Sequence, residues 1–167
     1  MPIVPLQAAD VPELVALARD IWYRHYPGII TVEQIEYMLD QRYRAEVILQ
    51  QLESGDVWWD TLVEGGRIVA FAACEPGTKP ASVKLDKLYV HPDRQRRGRG
   101  SSLLGHIEAR ARREGRRLVY LQVNKHNVNA IAAYARNGYA VTEAIVTDIG
   151  GGFVMDDYVM AKELAGG

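Results

Sequence analysis

The sequence predicts a single mixed α/β domain over residues 1–167, and three observations predict it. Before residue 55, apolar residues recur with the period of amphipathic helices. From residue 57 to 75 the pattern changes to two strands around a Glu64-Gly65-Gly66 turn. Strands and helices then alternate, which is typical of a sheet covered by helices.

The first part of the chain holds a short strand at about 2–6 and three helices. Asp10 is of a type that caps the first helix, and Thr31 of a type that caps the second. The third helix covers about 43–53 and ends before a glycine. The residues expected to face the core from the first two helices are Leu14, Val15, Ala18, Ile21, Trp22, Ile35, Met38 and Leu39.

The second part of the chain is richer in strands. Its predicted elements are strands at 57–63, 67–75 and 83–90, a helix at 101–114, a strand at 118–123, a helix at 127–136, and a hairpin of strands at 139–148 and 153–161. In the helix at 101–114 the inward positions are Leu103, Leu104, Ile107 and Ala111.

Composition excludes several classes of protein. Hydrophobic residues make up 48% and charged residues 25% of the chain, so disorder and collagen-like repeats are excluded. The single cysteine, Cys74, lies in an apolar strand and is expected to be a small core residue. The sequence shows neither a signal peptide nor a membrane span, so we expect a cytoplasmic protein without a membrane partner. The four histidines are scattered, so we expect no metal.

The most informative segment joins the strand at 83–90 to the following helix. It consists of Gln95, Arg96, Arg97, Gly98, Arg99, Gly100 and Ser101. A helix start offers unpaired N–H groups to an anion, and arginines add charge that suits phosphate. The alternative is a solvated arginine-rich loop. A Walker A loop is excluded because no Gly-Lys-Ser/Thr follows, and Leu103 stands where a dinucleotide fingerprint needs its third glycine.

The neighbouring motifs favour the phosphate interpretation. Leu88-Tyr89-Val90 precedes Gln95-x-x-Gly98-x-Gly100, and Asn124-x-x-Asn127, Tyr134 and Gly138-Tyr139 follow. This ordered set resembles the GNAT superfamily of acyl-CoA-dependent N-acetyltransferases. The resemblance implies a mostly antiparallel, twisted sheet of about seven strands flanked by helices. It also implies a parallel strand pair that splays apart at the cofactor site, with acetyl-CoA as cofactor.

The resemblance further implies roles for individual residues. The turn from Gln95 to Ser101 would hold the CoA pyrophosphate, while main-chain groups of Leu88-Tyr89-Val90 would bind the pantetheine arm and the acetyl carbonyl. Asn127 would contact the cofactor, and Tyr134 would lie beside its sulfur. Since a thiol has a pKa of about 8.5 and tyrosine about 10, full proton transfer would be uphill by roughly 2 kcal/mol. Tyr134 is therefore expected to hydrogen-bond the sulfur, although packing within its helix is the alternative.

The general base is less well defined by sequence. Many family members carry a glutamate where this chain has Lys84, and a protonated lysine cannot accept a proton. Some polyamine-acetylating members carry an acid at the position of Asp86, which makes Asp86 the candidate base. The alternative for Asp86 is a solvated strand carboxylate, and Glu75 or the acids near the C-terminus are further candidates.

The net charge of −1 conceals an uneven distribution. Residues 1–65 hold 11 acids and 4 bases, residues 66–136 hold 15 bases and 5 acids, and residues 137–167 hold 5 acids and 1 base. A basic central part suits polyanionic CoA, and acidic flanks suit a cationic amine, although solubilising surface is the alternative.

The predicted function is acetyl transfer from acetyl-CoA to a primary amine of a small molecule, by direct attack in a ternary complex. The segments 26–31 and 155–160 carry a weaker resemblance, to the bacterial polyamine-acetylating branch. An acyl-CoA sensor without turnover and a peptide or protein N-acetyltransferase stay open as alternatives. We expect no nucleic-acid partner, because no row of aromatic residues accompanies the arginines. A homodimer is compatible with the family.

Overall fold

The computed structural model describes residues 2–165. Its strands and helices follow the predicted order, with boundaries that differ by a few residues. In chain order they are β1 (Ile3–Pro5), α1 (Val11–His25), α2 (Val32–Arg42), α3 (Ala45–Ser54), β2 (Trp58–Glu64), β3 (Arg67–Pro76), β4 (Ser82–Val90), α4 (Arg99–Arg113), β5 (Leu118–Asn124), α5 (Val128–Arg136), β6 (Ala140–Gly150) and β7 (Phe153–Glu163).

The strands between residues 2 and 165 form one seven-stranded sheet in the order β1-β2-β3-β4-β5-β7-β6. Strands β4 and β5 pair in parallel, whereas β1–β2, β2–β3, β5–β7 and β6–β7 pair antiparallel. The predicted mixed sheet, mostly antiparallel with one parallel pair and flanking helices, is therefore confirmed.

The parallel ladder between β4 and β5 is short. It joins Ser82–Leu85 to Leu118–Leu121 and ends there within the described part of the chain. Strand β4 continues to Val90. The last residues of β5 remain paired with β7, up to Asn124 opposite Asp157.

The chain divides into two compact units. The first contains the residues up to Glu75 together with Lys87–Leu103, and the second contains Pro76–Asp86 and the residues from Leu104 onward. The first unit has an aromatic core, whose members are Trp22, Tyr26, Tyr43, Trp59, Phe71 and Tyr89. The second has an aliphatic core that includes Leu104, Ile107, Ala111, Val119, Leu121 and Met160. That the whole chain acts as one domain stays a prediction.

Two helix starts show where local signals succeed and fail. Thr31 Oγ1 accepts a hydrogen bond from the N–H of Gln34 (3.1 Å), as the sequence predicts. Asp10 makes no side-chain cap, because a 3-10 turn at Ala8–Asp10 precedes α1 and leaves Asp10 at φ −96° and ψ 0°. A side-chain cap needs extended backbone at this position, so the expectation for Asp10 is wrong.

In the part of the chain that the structure describes, no helix combines the length and apolar character needed to cross a membrane.

Candidate active site

The turn before α4 has the geometry of an anion site. Helix α4 begins at Arg99, two residues earlier than predicted, so Gly98 precedes its first residue. The N–H of Ser102 donates to the carbonyl oxygen of Gly98 (2.9 Å). The N–H groups of residues 98–101 therefore fall in the zone that a helix cannot pair internally. The first turn of α4 contains no acid, so its positive dipole end is not offset locally.

The turn backbone is held in an uncommon conformation. Arg96 has φ +67° and Gly98 has φ +76°, both in the left-handed region. The side chain of Gln95 donates to the carbonyl of Val90 (3.3 Å) and so links the turn to the end of β4. Gln95, Arg96, Arg97 and Gly98 are exposed, so the turn can receive a ligand from solvent.

Arg99 differs from its neighbours in the turn. It is only 7% exposed, and its guanidinium binds both carboxylate oxygens of Glu64, with Nη2 2.8 Å from Oε1. Its Nη1 donates to the carbonyl of Arg94 (2.9 Å). Hydrogen bonds from Arg99 lower the pKa of Glu64 below its ordinary value, so the carboxylate stays charged. Arg96 and Arg97, rather than the Arg99 side chain, supply the exposed charge of the turn.

The segment Leu88-Tyr89-Val90 forms the last part of β4 and is half-buried. The hydroxyl of Tyr89 lies 2.8 Å from that of Tyr26, and its ring packs against Phe71 with centroids 5.8 Å apart. The side chain of Tyr89 therefore belongs to the aromatic core of the first unit. Its contribution to a ligand would come from the main chain.

Asn127 and Tyr134 lie at opposite ends of α5, in the second unit. Asn127 is 7% exposed and precedes the helix, yet its side chain does not cap it. Tyr134 is half-buried, and its ring meets that of Tyr139 in a T-shaped contact with centroids 5.9 Å apart. The carbonyl of Tyr134 accepts from the N–H of Tyr139 (3.1 Å), which fixes the end of α5 against the start of β6.

The candidate base, Asp86, lies on β4 one residue beyond the end of the β4–β5 ladder. Its side chain is half-buried, as is that of Lys84, which lies within the ladder opposite Tyr120. Asp86 therefore lies in the part of β4 that is not paired with β5.

One of the acids near the C-terminus that are expected to attract a cationic amine has a local partner. In the second unit, Asp156 pairs with Lys125 (2.7 Å), and this hydrogen bond raises the pKa of Lys125. In the first unit, a groove of about 340 Å³ lies among α1, α2 and α3. Its charged lining residues are Arg19, Glu36, Asp40 and Arg44. This groove carries both signs of charge, so an excess of acids in the sequence does not make it an acidic surface.

Residues 2–165 contain no cluster of three or more histidine, cysteine, aspartate or glutamate side chains placed to hold a metal ion. Cys74 is buried in β3, which fits the expected core role.

Two residues of interest were missed by sequence reasoning. Lys87 is 4% exposed, and its ammonium lies 5.3 Å and 5.4 Å from the ring centroids of Trp59 and Tyr43. A signal was present, because Val83, Leu85 and residue 87 share one face of β4. Glu64 gave no such signal, because it reads as an ordinary hairpin residue.

Comparison with known proteins identifies the family. The sequence matches the model of the acetyltransferase (GNAT) family over residues 15–139. The chain therefore belongs to this family: it is an N-acetyltransferase, and its acetyl donor is acetyl-CoA.

Individual relatives differ in how much of the chain they match. A tRNA(Met) cytidine acetyltransferase of Aeropyrum pernix is 38% identical over 88 residues, which are 53% of this chain but only 12% of that protein. A spermidine N(1)-acetyltransferase of Thermoplasma acidophilum is 26% identical over 155 residues, covering 90% of this chain and 92% of that protein.

A solved structure supports the fold along nearly the whole chain. The crystal structure of PaiA N-acetyltransferase from Thermoplasma acidophilum, in complex with coenzyme A, matches with a TM-score of 0.83. The match covers 97% of this chain and 98% of that chain, at 24% identity. At that identity the likeness establishes the fold.

Proposed function

We propose that this acetyltransferase acts on a primary amine of a polyamine-like small molecule, by direct attack in a ternary complex. The observation that carries the cofactor side is the start of α4, where amides that a helix cannot pair internally lie beside exposed arginines. The acceptor side is supported by the spermidine-acetylating relative, which matches most of the chain.

The residues of the turn fit the anionic part of acetyl-CoA. The N–H groups of residues 98–101 offer donors for phosphate oxygens, and Arg96 and Arg97 add exposed positive charge. When bound, acetyl-CoA supplies a thioester whose carbonyl carbon accepts the amine. Main-chain groups of Leu88 and Val90 lie on β4 beyond its ladder with β5, which supports their assignment to the pantetheine arm and acetyl group.

Three residues of this chain are assigned to the chemistry. The N–H of Leu88 donates to the oxygen on which negative charge develops. The carboxylate of Asp86 accepts the proton of the incoming ammonium, directly or through water, because an alkyl ammonium with a pKa near ~10.4 cannot attack until it is deprotonated. The hydroxyl of Tyr134 donates a hydrogen bond to the sulfur of the leaving CoA.

Asn127 is assigned to the cofactor as well. It is buried at the start of α5, and its side chain makes no capping hydrogen bond to the helix. The family resemblance, in which Asn127 contacts the cofactor, supports this assignment.

The test is a measurement of CoA release across a panel of acceptors. The panel contains spermidine, spermine, single amino acids, an aminoglycoside and short peptides with free N-termini. We expect turnover with polyamines, and a loss of about 10²- to 10⁴-fold in kcat for Tyr134→Phe and Asp86→Asn. The matched controls are Tyr120→Phe and Asp148→Asn, which alter a tyrosine and an acid outside the proposed site.

Each outcome decides between the alternatives. Turnover restricted to peptides would replace the small-molecule assignment with a peptide acetyltransferase. CoA binding without release for any acceptor would favour a sensor. Full activity of Tyr134→Phe and Asp86→Asn would remove both residues from the mechanism.

A further inference from the structure

The Arg99 side chain closes the turn that precedes α4. Its Nη1 binds the carbonyl of Arg94, so one side chain joins the two ends of the segment 95–98. Its Nε and Nη2 bind the two oxygens of Glu64, which is the last residue of β2. All three residues belong to the first unit. The turn is thereby tied both to itself and to the β2–β3 hairpin.

This arrangement conflicts with a direct phosphate role for the Arg99 side chain. The Arg99 side chain is only 8% exposed and that of Glu64 21%. A phosphate that took the same guanidinium donors would have to displace a paired carboxylate and leave it without its partner. Removing the partner of a largely buried charge is costly, so Arg99 is better suited to hold the turn than to bind the ligand through its side chain.

We propose that Glu64 and Arg99 form a positioning pair for the cofactor turn, and that they set the N–H groups of residues 98–101 in place before the cofactor binds. The proposal rests on the assignment of this turn to the CoA pyrophosphate. Arg96 has φ +67° inside the closed segment, a conformation that a non-glycine residue adopts only when its surroundings impose it. The Glu64–Arg99 pair supplies such a constraint.

The expected effect of breaking the pair is weaker cofactor binding rather than slower chemistry. If the competent turn falls to about one tenth of the population, the apparent Kd for CoA rises about tenfold. The maximal rate at saturating acetyl-CoA should change by less than about twofold, because the bound turn is the same once formed.

The first variant is Glu64→Gln, which removes the negative charge and one acceptor oxygen. The second is Arg99→Lys, which keeps the positive charge but loses the two parallel guanidinium donors to Glu64. Three quantities are measured: the Kd of CoA by titration calorimetry, kcat and KM with acetyl-CoA, and hydrogen exchange of the amides of residues 95–101 without ligand. We expect a higher Kd and KM, a nearly constant kcat, and faster exchange in the turn. Glu114→Gln is the control, because it breaks the exposed Arg110–Glu114 pair of α4.

A truncated donor separates positioning from general damage to the fold. S-acetylpantetheine lacks the pyrophosphate, so its kcat/KM should be the same in wild type and in Glu64→Gln. A loss of kcat/KM with both donors, or unchanged CoA affinity and unchanged exchange in both variants, would overturn the positioning role.

The truncated donor also separates this inference from the assignment on which it rests. Equal kcat/KM of the wild type with both donors would mean that the turn does not bind the pyrophosphate, and both claims would fail. The other informative result is a wild type with a higher kcat/KM for acetyl-CoA than for S-acetylpantetheine. If Glu64→Gln then keeps the same ratio of the two values, the positioning pair alone is overturned.

Discussion

The hydroxyl of Tyr139 donates a hydrogen bond to Oε2 of Glu108 over 2.9 Å, although the two residues are 31 positions apart. Glu108 is 6% exposed, and its other oxygen accepts from Lys162 Nζ (2.8 Å). Lys162 also donates to the carbonyl of Asn137 (3.0 Å). One carboxylate therefore joins α4, the turn after α5, and β7 within the second unit.

Tyr139→Phe tests the strength of this connection. The change keeps the ring beside Tyr134 but leaves one oxygen of a buried carboxylate without its donor. We expect the free energy of unfolding to fall by about 1–3 kcal/mol, measured by urea denaturation. The control is Tyr120→Phe, whose hydroxyl accepts a bond from the exposed N–H of Thr78 (3.1 Å) and should cost about 0.5 kcal/mol or less. Equal losses in the two variants would contradict the argument.

Much of the fold follows from local patterns. Leu14, Ala18, Ile21 and Trp22 were predicted to face the core and are at most 2% exposed. Helical periodicity carries that information because each residue's face depends only on its neighbours along the chain. The short β4–β5 ladder could not be read in this way, because pairing depends on residues far apart in sequence.

At the candidate cofactor turn, the helix start was predictable from the sequence, whereas the side-chain partner of Arg99 was not. The glycines in the turn from Gln95 to Gly100 indicate a helix start, and α4 begins at Arg99. The partner of Arg99 lies 35 residues earlier in the chain. Eleven acids precede residue 66, and nothing in their order distinguishes Glu64 from the other ten.

Gly98→Ala tests the backbone of the cofactor turn. Gly98 has φ +76°, and an added Cβ would meet nothing within 4 Å, so the change imposes backbone strain without a clash. We expect a stability loss of about 1–2 kcal/mol, together with weaker CoA binding because the turn amides shift. Urea denaturation and titration calorimetry measure the two effects.

Gly115→Ala is the matched control for Gly98→Ala. Gly115 follows α4 with φ +74°, and an added Cβ there also meets nothing within 4 Å. The stability loss should therefore be similar, while CoA affinity should stay at the wild-type value. Equal CoA affinities in the two variants would show that Gly98 has no special relation to the cofactor.

Gly77→Ala and Gly105→Ala should change stability in opposite directions. A Cβ at Gly77 would clash with Ser82 Oγ, and Ser82 is fully buried and bonded to the carbonyl of Lys79 (2.6 Å). We expect a loss of about 1–3 kcal/mol from this overpacking. Gly105 lies exposed within α4 with open space around it, so alanine should stabilise the helix by about 0.5–1 kcal/mol. Thermal unfolding of both variants measures whether stability rises or falls. A change in the same direction for both would contradict the packing argument.

The buried hydroxyl of Tyr26 should make the protein less stable at alkaline pH. Burial raises the pKa of Tyr26 well above its ordinary value, and the neighbouring hydroxyl of Tyr89 raises it further. In the unfolded chain a tyrosine ionises near ~10, so above that pH the native state binds more protons than the unfolded state. The free energy of unfolding then falls as pH rises, by at most about 1.4 kcal/mol per pH unit from this group, whereas below pH ~10 its contribution is complete.

Tyr26→Phe should reduce that alkaline decline. Denaturation between about pH 9 and 11.5 measures the slope, and slopes rather than absolute stabilities are compared because the variant also removes the hydrogen bond to Tyr89. Tyr23→Phe, on the same helix, removes a half-buried phenol that bonds Glu36 (3.4 Å) and leaves Tyr26 in place. It should retain the wild-type slope. A decline as steep in Tyr26→Phe as in Tyr23→Phe would show that other groups control the alkaline response.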